Sequence, residues 1–332
     1  MLLLLTLLHF AVDGLCGAAL AAHDQALVAY TQIIALYALY NLIAFGGQWL
    51  AGLVLDLRPS LLFGSLPLAL CCLALALLQG DLLWQAALLG TGNCLFHAAA
   101  GSYVLRSSQT FSEPGIFVSS GAMGLALGLH GFLGPMVFFL LCTGCVAGIL
   151  WFARRRGLAG LMAQQTIPST GLSLPLLLSL VLLLGCVTLR GFASGASPAP
   201  FVLLFPCLFT LGKALGGICC DRIGYNKTLL LIFFLSFLAL QLEGMAGSML
   251  LALALNMTMP LSLRLAHLCF PAYPGLIFGL SAGCLLPGLF LGGLVLALQP
   301  QVLIVCVFLV LYAAGALAKR SGRYQDRRVC MP

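Results

Sequence analysis

Charge is what this chain has least of. Asp, Glu, Lys and Arg together make up 7% of its 332 residues, where a water-soluble domain carries about 25%. Apolar residues make up 62%. That balance excludes a soluble globular domain and leaves a polytopic membrane protein. The formal net charge of +7 does not imply a nucleic-acid partner, because the basic residues fall in short turns and near the C-terminus. A Walker-type phosphate loop is missing, so ATP drive within the chain is not expected. His-Glu-x-x-His, Gly-x-Ser-x-Gly and paired-carboxylate arrangements are missing too. No enzyme, cofactor or metal is expected on those grounds. The N-terminus has no basic n-region and Asp13 interrupts its apolar run, so residues 1–22 read as a membrane span and not as a signal peptide. The 14 cysteines lie scattered in apolar runs. Cys142-x-x-Cys145 has redox spacing but no His or acidic neighbour, and reads as packing.

What the chain does have is apolar runs. A crossing needs about 20 such residues, and twelve segments qualify: 1–22, 28–55, 60–79, 82–105, 114–133, 135–153, 174–193, 198–220, 227–242, 246–266, 274–293 and 298–318. The connections are short except at 154–173, which opens on Arg154-Arg155-Arg156. The expected organisation is a six-helix bundle over 1–153, a cytoplasmic linker over 154–173, a second six-helix bundle over 174–318, and a basic cytoplasmic tail over 319–332. The turns that face one side, with that tail, hold Arg58, Arg106, Arg154, Arg155, Arg156, Arg222, Lys227, Arg264, Lys319, Arg320, Arg323, Arg327 and Arg328. Only Arg190 and Lys213 lie elsewhere. Basic residues mark the inner side, so both termini are expected in the cytoplasm of a cell (inner) membrane protein.

The halves carry traces of one ancestor. Gly47-Gln48-Trp49-Leu50-Ala51-Gly52-Leu53-Val54-Leu55-Asp56-Leu57-Arg58 matches Gly212 to Ile223 at an offset of 165, with Gly47/Gly212, Leu50/Leu215, Gly52/Gly217 and Asp56/Asp221 identical. Pro114-Gly115 and Pro274-Gly275 open spans 5 and 11, and Asn93 in span 4 aligns with Asn256 in span 10. Such repeats are a mark of transporter architecture.

With these residues in hand, the chain resembles the major facilitator superfamily. That family carries Gly-x-x-x-Asp-Arg-x-Gly followed by basic residues between helices 2 and 3, and a degenerate copy between helices 8 and 9. Here the fuller copy is the second: Gly217, Asp221, Arg222, Gly224 and Lys227. The first copy keeps Gly52, Asp56 and Arg58, with Pro59 in place of the glycine. The opening His9-Phe10-x-x-Asp13 resembles the fosmidomycin-resistance-like exporters of the superfamily. The resemblance implies an all-α protein of 12 transmembrane helices, in two six-helix bundles related by pseudo-twofold symmetry. It implies a monomeric secondary transporter of a small molecule, and proton-coupled export is the expected activity. A transporter-like protein that has become a sensor or scaffold is the alternative.

The resemblance also implies a latch. Asp56 would hold the N-terminus of span 11 beside Arg106, and Asp221 with Arg264 would hold Pro114-Gly115. Within the membrane, spans 1, 4, 7 and 10 would line the pathway and spans 3, 6, 9 and 12 would face lipid. The buried polar residues follow that division: His9 and Asp13, Asn93 and His97, Arg190, and Asn256 fall on spans 1, 4, 7 and 10. Each of the first two pairs is spaced i,i+4 and shares one helix face. A charge at the bilayer centre costs at least about 2.5–3.5 kcal/mol, so an acid there has a task. Asp13 with His9 is the candidate proton carrier, Arg190 the candidate counter-charge, and Lys213 a candidate anion contact.

Overall fold

The computed structural model describes residues 1–24, 30–156, 173–194, 203–291 and 300–322. Most of the expected linker and the last ten residues of the basic tail lie outside them. The helices are α1 (Leu2–Asp24), α2 (Tyr30–Gly46), α3 (Gln48–Leu57), α4 (Leu62–Leu77), α5 (Leu82–Ser107), α6 (Ser112–Leu129) and α7 (Pro135–Arg156). They continue with α8 (Leu174–Ser194), α9 (Leu204–Ile223), α10 (Tyr225–Gln241), α11 (Gly244–Cys269), α12 (Pro274–Gly283), α13 (Leu286–Leu291) and α14 (Pro300–Arg320). No strand occurs among the described residues. The twelve expected spans are all represented. The second is interrupted at Gly47, and the eleventh is divided into α12 and α13. Among the described residues, seven helical stretches are at once long enough and apolar enough to cross a bilayer.

The helices pack pairwise, and the pairs repeat. In one half α1 packs on α7, α4 and α2 pack on α5, and α1 touches α5. Six spans later α8 packs on α14, α10 and α9 pack on α11, and α8 touches α11. The same pairing shifted by six spans is what a duplicated bundle produces. Helices α5 and α11 are the buried ones: Phe96–Leu105 is buried without a break, as is Pro260–His267. A helix wrapped on all sides is apolar all round. Exposed large apolar side chains concentrate on α4, α7, α10 and α14, the third and sixth spans of each half, with Leu68, Leu140, Phe234 and Leu309 each more than half exposed. Exposed Leu and Phe carry no penalty in hydrocarbon, so these faces suit lipid.

The chain clusters into two compact units. One comprises Met1–Ser107, Ser120–Thr166 and Tyr273–Gly283; the other comprises Ser108–Ser119, Ile167–Ala272 and Cys284–Pro332. They follow the sequence halves except for two exchanged segments, Ser108–Ser119 and Tyr273–Gly283. Each of these contains the start of a helix, and the reason for the exchange lies in what binds those starts.

The turn after α9 explains the glycine of its motif. Gly224 has φ 86° and ψ 160°, a conformation open essentially only to glycine. Its N–H donates to Cys220 O at 3.0 Å, and its carbonyl accepts from the Thr228 hydroxyl at 2.9 Å. The first copy turns differently. Arg58 leaves the helical region with a negative φ (φ −132°, ψ 72°) and Pro59 starts a 3-10 turn, Pro59–Leu61, so no glycine is needed. Gly224→Ala is therefore expected to destabilise by about 1–3 kcal/mol, read as a lower melting temperature in detergent. Gly80→Ala, with nothing near its added methyl, is the control.

Candidate functional site

Gly52 and Asp56 sit one helical turn apart on the same face of α3. A Cβ at Gly52 would collide with the Gly275 carbonyl, so the start of α12 lies against bare backbone. One turn on, Asp56 reaches the free amides of that start. Its Oδ1 accepts from Gly275 N at 2.9 Å and its Oδ2 from Leu276 N at 2.8 Å. Arg106 Nη2 donates to Oδ1 at 3.4 Å. The Asp56 side chain has 0% exposure. The second unit repeats the device. A Cβ at Gly217 would collide with the Phe111 carbonyl. Asp221 Oδ1 accepts from Phe111 N and Oδ2 from Ser112 N, both at 2.8 Å, and the Ser112 hydroxyl adds a third donor. Arg264 is buried and interacts electrostatically with Glu113 and Asp221.

Gly-x-x-x-Asp is thus a docking device. The glycine clears the approach, and the carboxylate satisfies two of the four unpaired amides of a helix start, at the positive end of its dipole. This binding is what places Ser108–Ser119 and Tyr273–Gly283 in the units they join. In one detail the sequence expectation is corrected. The amides held by Asp221 belong to Phe111 and Ser112, not to Pro114-Gly115. Glu113 Oε2 accepts from Gln109 N at 2.7 Å and from Thr110 N at 3.3 Å, which fixes the entry and starts α6 at Ser112. Pro114 then falls in the first turn, where a missing N–H costs nothing. Arg58, Arg222 and Lys227 are exposed beside the turns.

The second cluster lies in the first unit, on α1 and α5. His9 and Asp13 share a face of α1, and Asn93 and His97 share a face of α5, as their spacing predicts. The two faces meet. Asn93 Nδ2 donates to Asp13 Oδ1 at 3.0 Å and to the Tyr40 hydroxyl at 3.0 Å. His9 Nε2 lies 3.2 Å from Asp13 Oδ2, and His97 Nε2 lies 3.7 Å from Asp13 Oδ1. The two Nε2 atoms are 2.9 Å apart. His97 Nδ1 is 3.0 Å from the Asn93 carbonyl. A carbonyl only accepts, so Nδ1 carries the hydrogen, and Nε2 of neutral His97 is an acceptor. The hydrogen between the rings then belongs to His9, whose Nε2–H is shared between His97 and Asp13. Gly121 on α6 lies over the cluster; a Cβ there would fall on Asp13 Oδ2 and His9 Nε2.

His9, Asp13 and His97 also offer three ligand atoms within 4.8 Å of one another. Two imidazoles on one tetrahedral zinc, at about 2.0–2.1 Å each, would hold their nitrogens about 3.3–3.4 Å apart. The observed 2.9 Å is a hydrogen bond, so these rings as they stand share a proton.

Two solved transporters have the same architecture. The crystal structure of the fucose:proton symporter of E. coli superposes with a TM-score of 0.57, at 14% identity over 98% of both chains. That of a bacterial homologue of the iron transporter ferroportin, in its outward-facing state, superposes with a TM-score of 0.58, at 14% identity over 97% of this chain and 98% of that one. The chain has the major facilitator fold. No protein-family model matches it, and no curated protein does.

Within this fold the seven expected pathway residues divide by unit. His9, Asp13, Asn93 and His97 form the cluster in the first. Arg190, Lys213 and Asn256 belong to the second. Arg190 is buried and Lys213 is half-buried. Asn256 turns its amide back on its own helix, donating to Ala252 O at 2.9 Å. Sequence reasoning missed Tyr40 and Gly121. A tyrosine in a span and one glycine among 38 give no signal until their neighbours are known.

Two outcomes are expected. Asp221→Asn will destabilise nearly as much as Asp221→Ala, by about 2 kcal/mol, because an amide can accept from one backbone N–H but turns its own NH₂ toward the other. Matching thermal shifts for the pair check this. Gly121→Val will lower stability by about 1–3 kcal/mol through overpacking. Gly134→Val, whose Cβ meets nothing, will leave the melting temperature unchanged.

Proposed function

We propose that the chain is a secondary active transporter that exports a small organic molecule in exchange for protons, by alternating access, from a cell (inner) membrane with both termini in the cytoplasm. The observation that carries the reading is the hydrogen-bonded cluster of His9, Asp13, Asn93 and His97 inside membrane helices. An acid and two imidazoles at that depth are costly even when paired, and such groups mark proton or substrate pathways in membrane proteins. One proton already has a place, between the two rings. A second, arriving on His97 Nε2, ends the acceptor role of that nitrogen and turns it toward Asp13 Oδ1, 3.7 Å away. Loading and unloading therefore change which group His97 binds. Arg190 is assigned the counter-charge and Lys213 a substrate contact in the second unit. Asn93 Oδ1 is buried with no hydrogen-bond partner. Its amide cannot be flipped, because Nδ2 faces a carboxylate, so it offers an acceptor to a substrate N–H or O–H. The two aspartate caps are the contacts made and broken between states. Each is worth a few kcal/mol at most, small enough to reverse during a cycle.

The solved structures of similar fold include a proton symporter, which supports proton coupling by analogy of fold alone. The test is flux. Binders found by thermal-shift screening of purified protein are loaded into proteoliposomes, and their movement is followed with and without a pH gradient. Gradient-dependent movement, reduced at least tenfold in Asp13→Asn, is the expected result. Binders that do not move would favour a sensor, and movement indifferent to both the gradient and Asp13→Asn would remove the proton from the mechanism.

A further inference from the structure

Helices α4 and α7 leave a groove between them at the end of the first unit that bears the arginine run. It has a volume of 440 Å³ and is lined by Ser60, Phe63, Gly64, Pro67, Leu150 and Arg154, among others. That lies within the about 300–1,000 Å³ of small-ligand sites. It is large enough for a headgroup and the first part of a chain, and too small for a whole lipid. The two ends of the groove differ in chemistry. Phe63, Pro67 and Leu150 make one end apolar. At the other, Arg154 is exposed and Ser60 offers a hydroxyl. Next to Arg154, the Arg155 guanidinium lies 4.5 Å from the centre of the Trp151 ring, and Trp151 is 57% exposed. Exposed tryptophan beside arginine is the pattern of a membrane interface. The floor also has a polar feature. Pro67 stands inside α4 and has no N–H, so the Phe63 carbonyl lacks its usual helical donor. Gly64 adds no side chain to cover that stretch of backbone, and nothing lies within 4 Å of where its Cβ would be.

We propose that this groove is a binding site for one anionic phospholipid. The phosphate is held by Arg154 and the Ser60 hydroxyl, and an acyl chain runs along Phe63, Pro67 and Leu150. Charge complementarity chooses the occupant: an apolar slot ending in a cation, on a lipid-facing helix pair, fits a molecule with a tail and a negative head. A zwitterionic lipid supplies the tail without the net charge. The site is separate from the proton cluster and does not depend on the transport reading.

Native mass spectrometry of the purified chain, released from nanodiscs of equal phosphatidylglycerol and phosphatidylcholine, reads the retained lipid directly. The expected result is one retained phosphatidylglycerol, in clear preference to phosphatidylcholine. Arg154→Gln should lower that retention roughly fivefold, the effect of one basic residue near a membrane surface. Gly64→Trp should abolish it by filling the groove with no change in charge; its Cβ would meet nothing within 4 Å, and an unchanged melting temperature without added lipid will verify the fold. Arg58→Gln, outside the groove, should leave it unchanged. Equal retention of the two lipids by the wild type would overturn the proposal, and so would undiminished phosphatidylglycerol in Gly64→Trp.

Discussion

A carboxylate from one helix placed on the start of another is the contact on which this structure depends. A helix start packed against another helix is shielded from water, and a buried amide left without a partner costs about 1–3 kcal/mol. Asp56 and Asp221 meet two such amides each, at 2.8 or 2.9 Å. The glycine one turn earlier is part of the same contact, since any side chain at Gly52 or Gly217 would hold the helix start out of reach. Charge, hydrogen bonding and sterics therefore converge on a four-residue spacing. Among the described residues it occurs twice, and each time it captures a helix start from the other sequence half.

Seen this way, the compact units follow from local chemistry. Membrane helices gain little from apolar burial, because lipid tails are as apolar as leucine, so small residues and polar contacts decide which helices associate. The pairings of α1 to α7 recur in α8 to α14, which is the record of a duplication. The aspartate caps then reassign one helix start in each direction. The same economy explains the position of the acid at Asp13. It sits where two i,i+4 pairs from different helices meet, so both of its carboxylate oxygens find partners inside the protein. His97 is held by the Asn93 carbonyl, which fixes its tautomer and leaves its Nε2 for His9. The cluster consequently contains a defined place for a proton instead of an unpaired charge.

The similarity to solved transporters is one of architecture, at 14% identity. The two copies of the turn within the chain are informative. Both have the glycine and the aspartate, while the turn itself is made in two ways, by Gly224 in one copy and by Arg58-Pro59 in the other. The part that touches a distant helix is retained in both copies, and the part that only redirects the chain is free to differ.

The sequence by itself determined the class, the twelve spans, the repeat and the identity of the main polar residues. The repeat follows from matching one half of the chain to the other; the rest follows from composition or from spacing along one helix, and such information is local. It placed His9 with Asp13 and Asn93 with His97 for the same reason. It did not place the two pairs against each other, because their contact joins residues 80 or more positions apart and leaves no periodic trace. Nor did it place the second cap: the proline-glycine pairs align between the halves, yet the amides that Asp221 holds lie at Phe111 and Ser112, where a serine hydroxyl and the Glu113 carboxylate fix the helix start. Tyr40 and Gly121 entered the site only through tertiary packing. A hydroxyl and a missing side chain acquire a function from what stands opposite them, and that is decided in three dimensions.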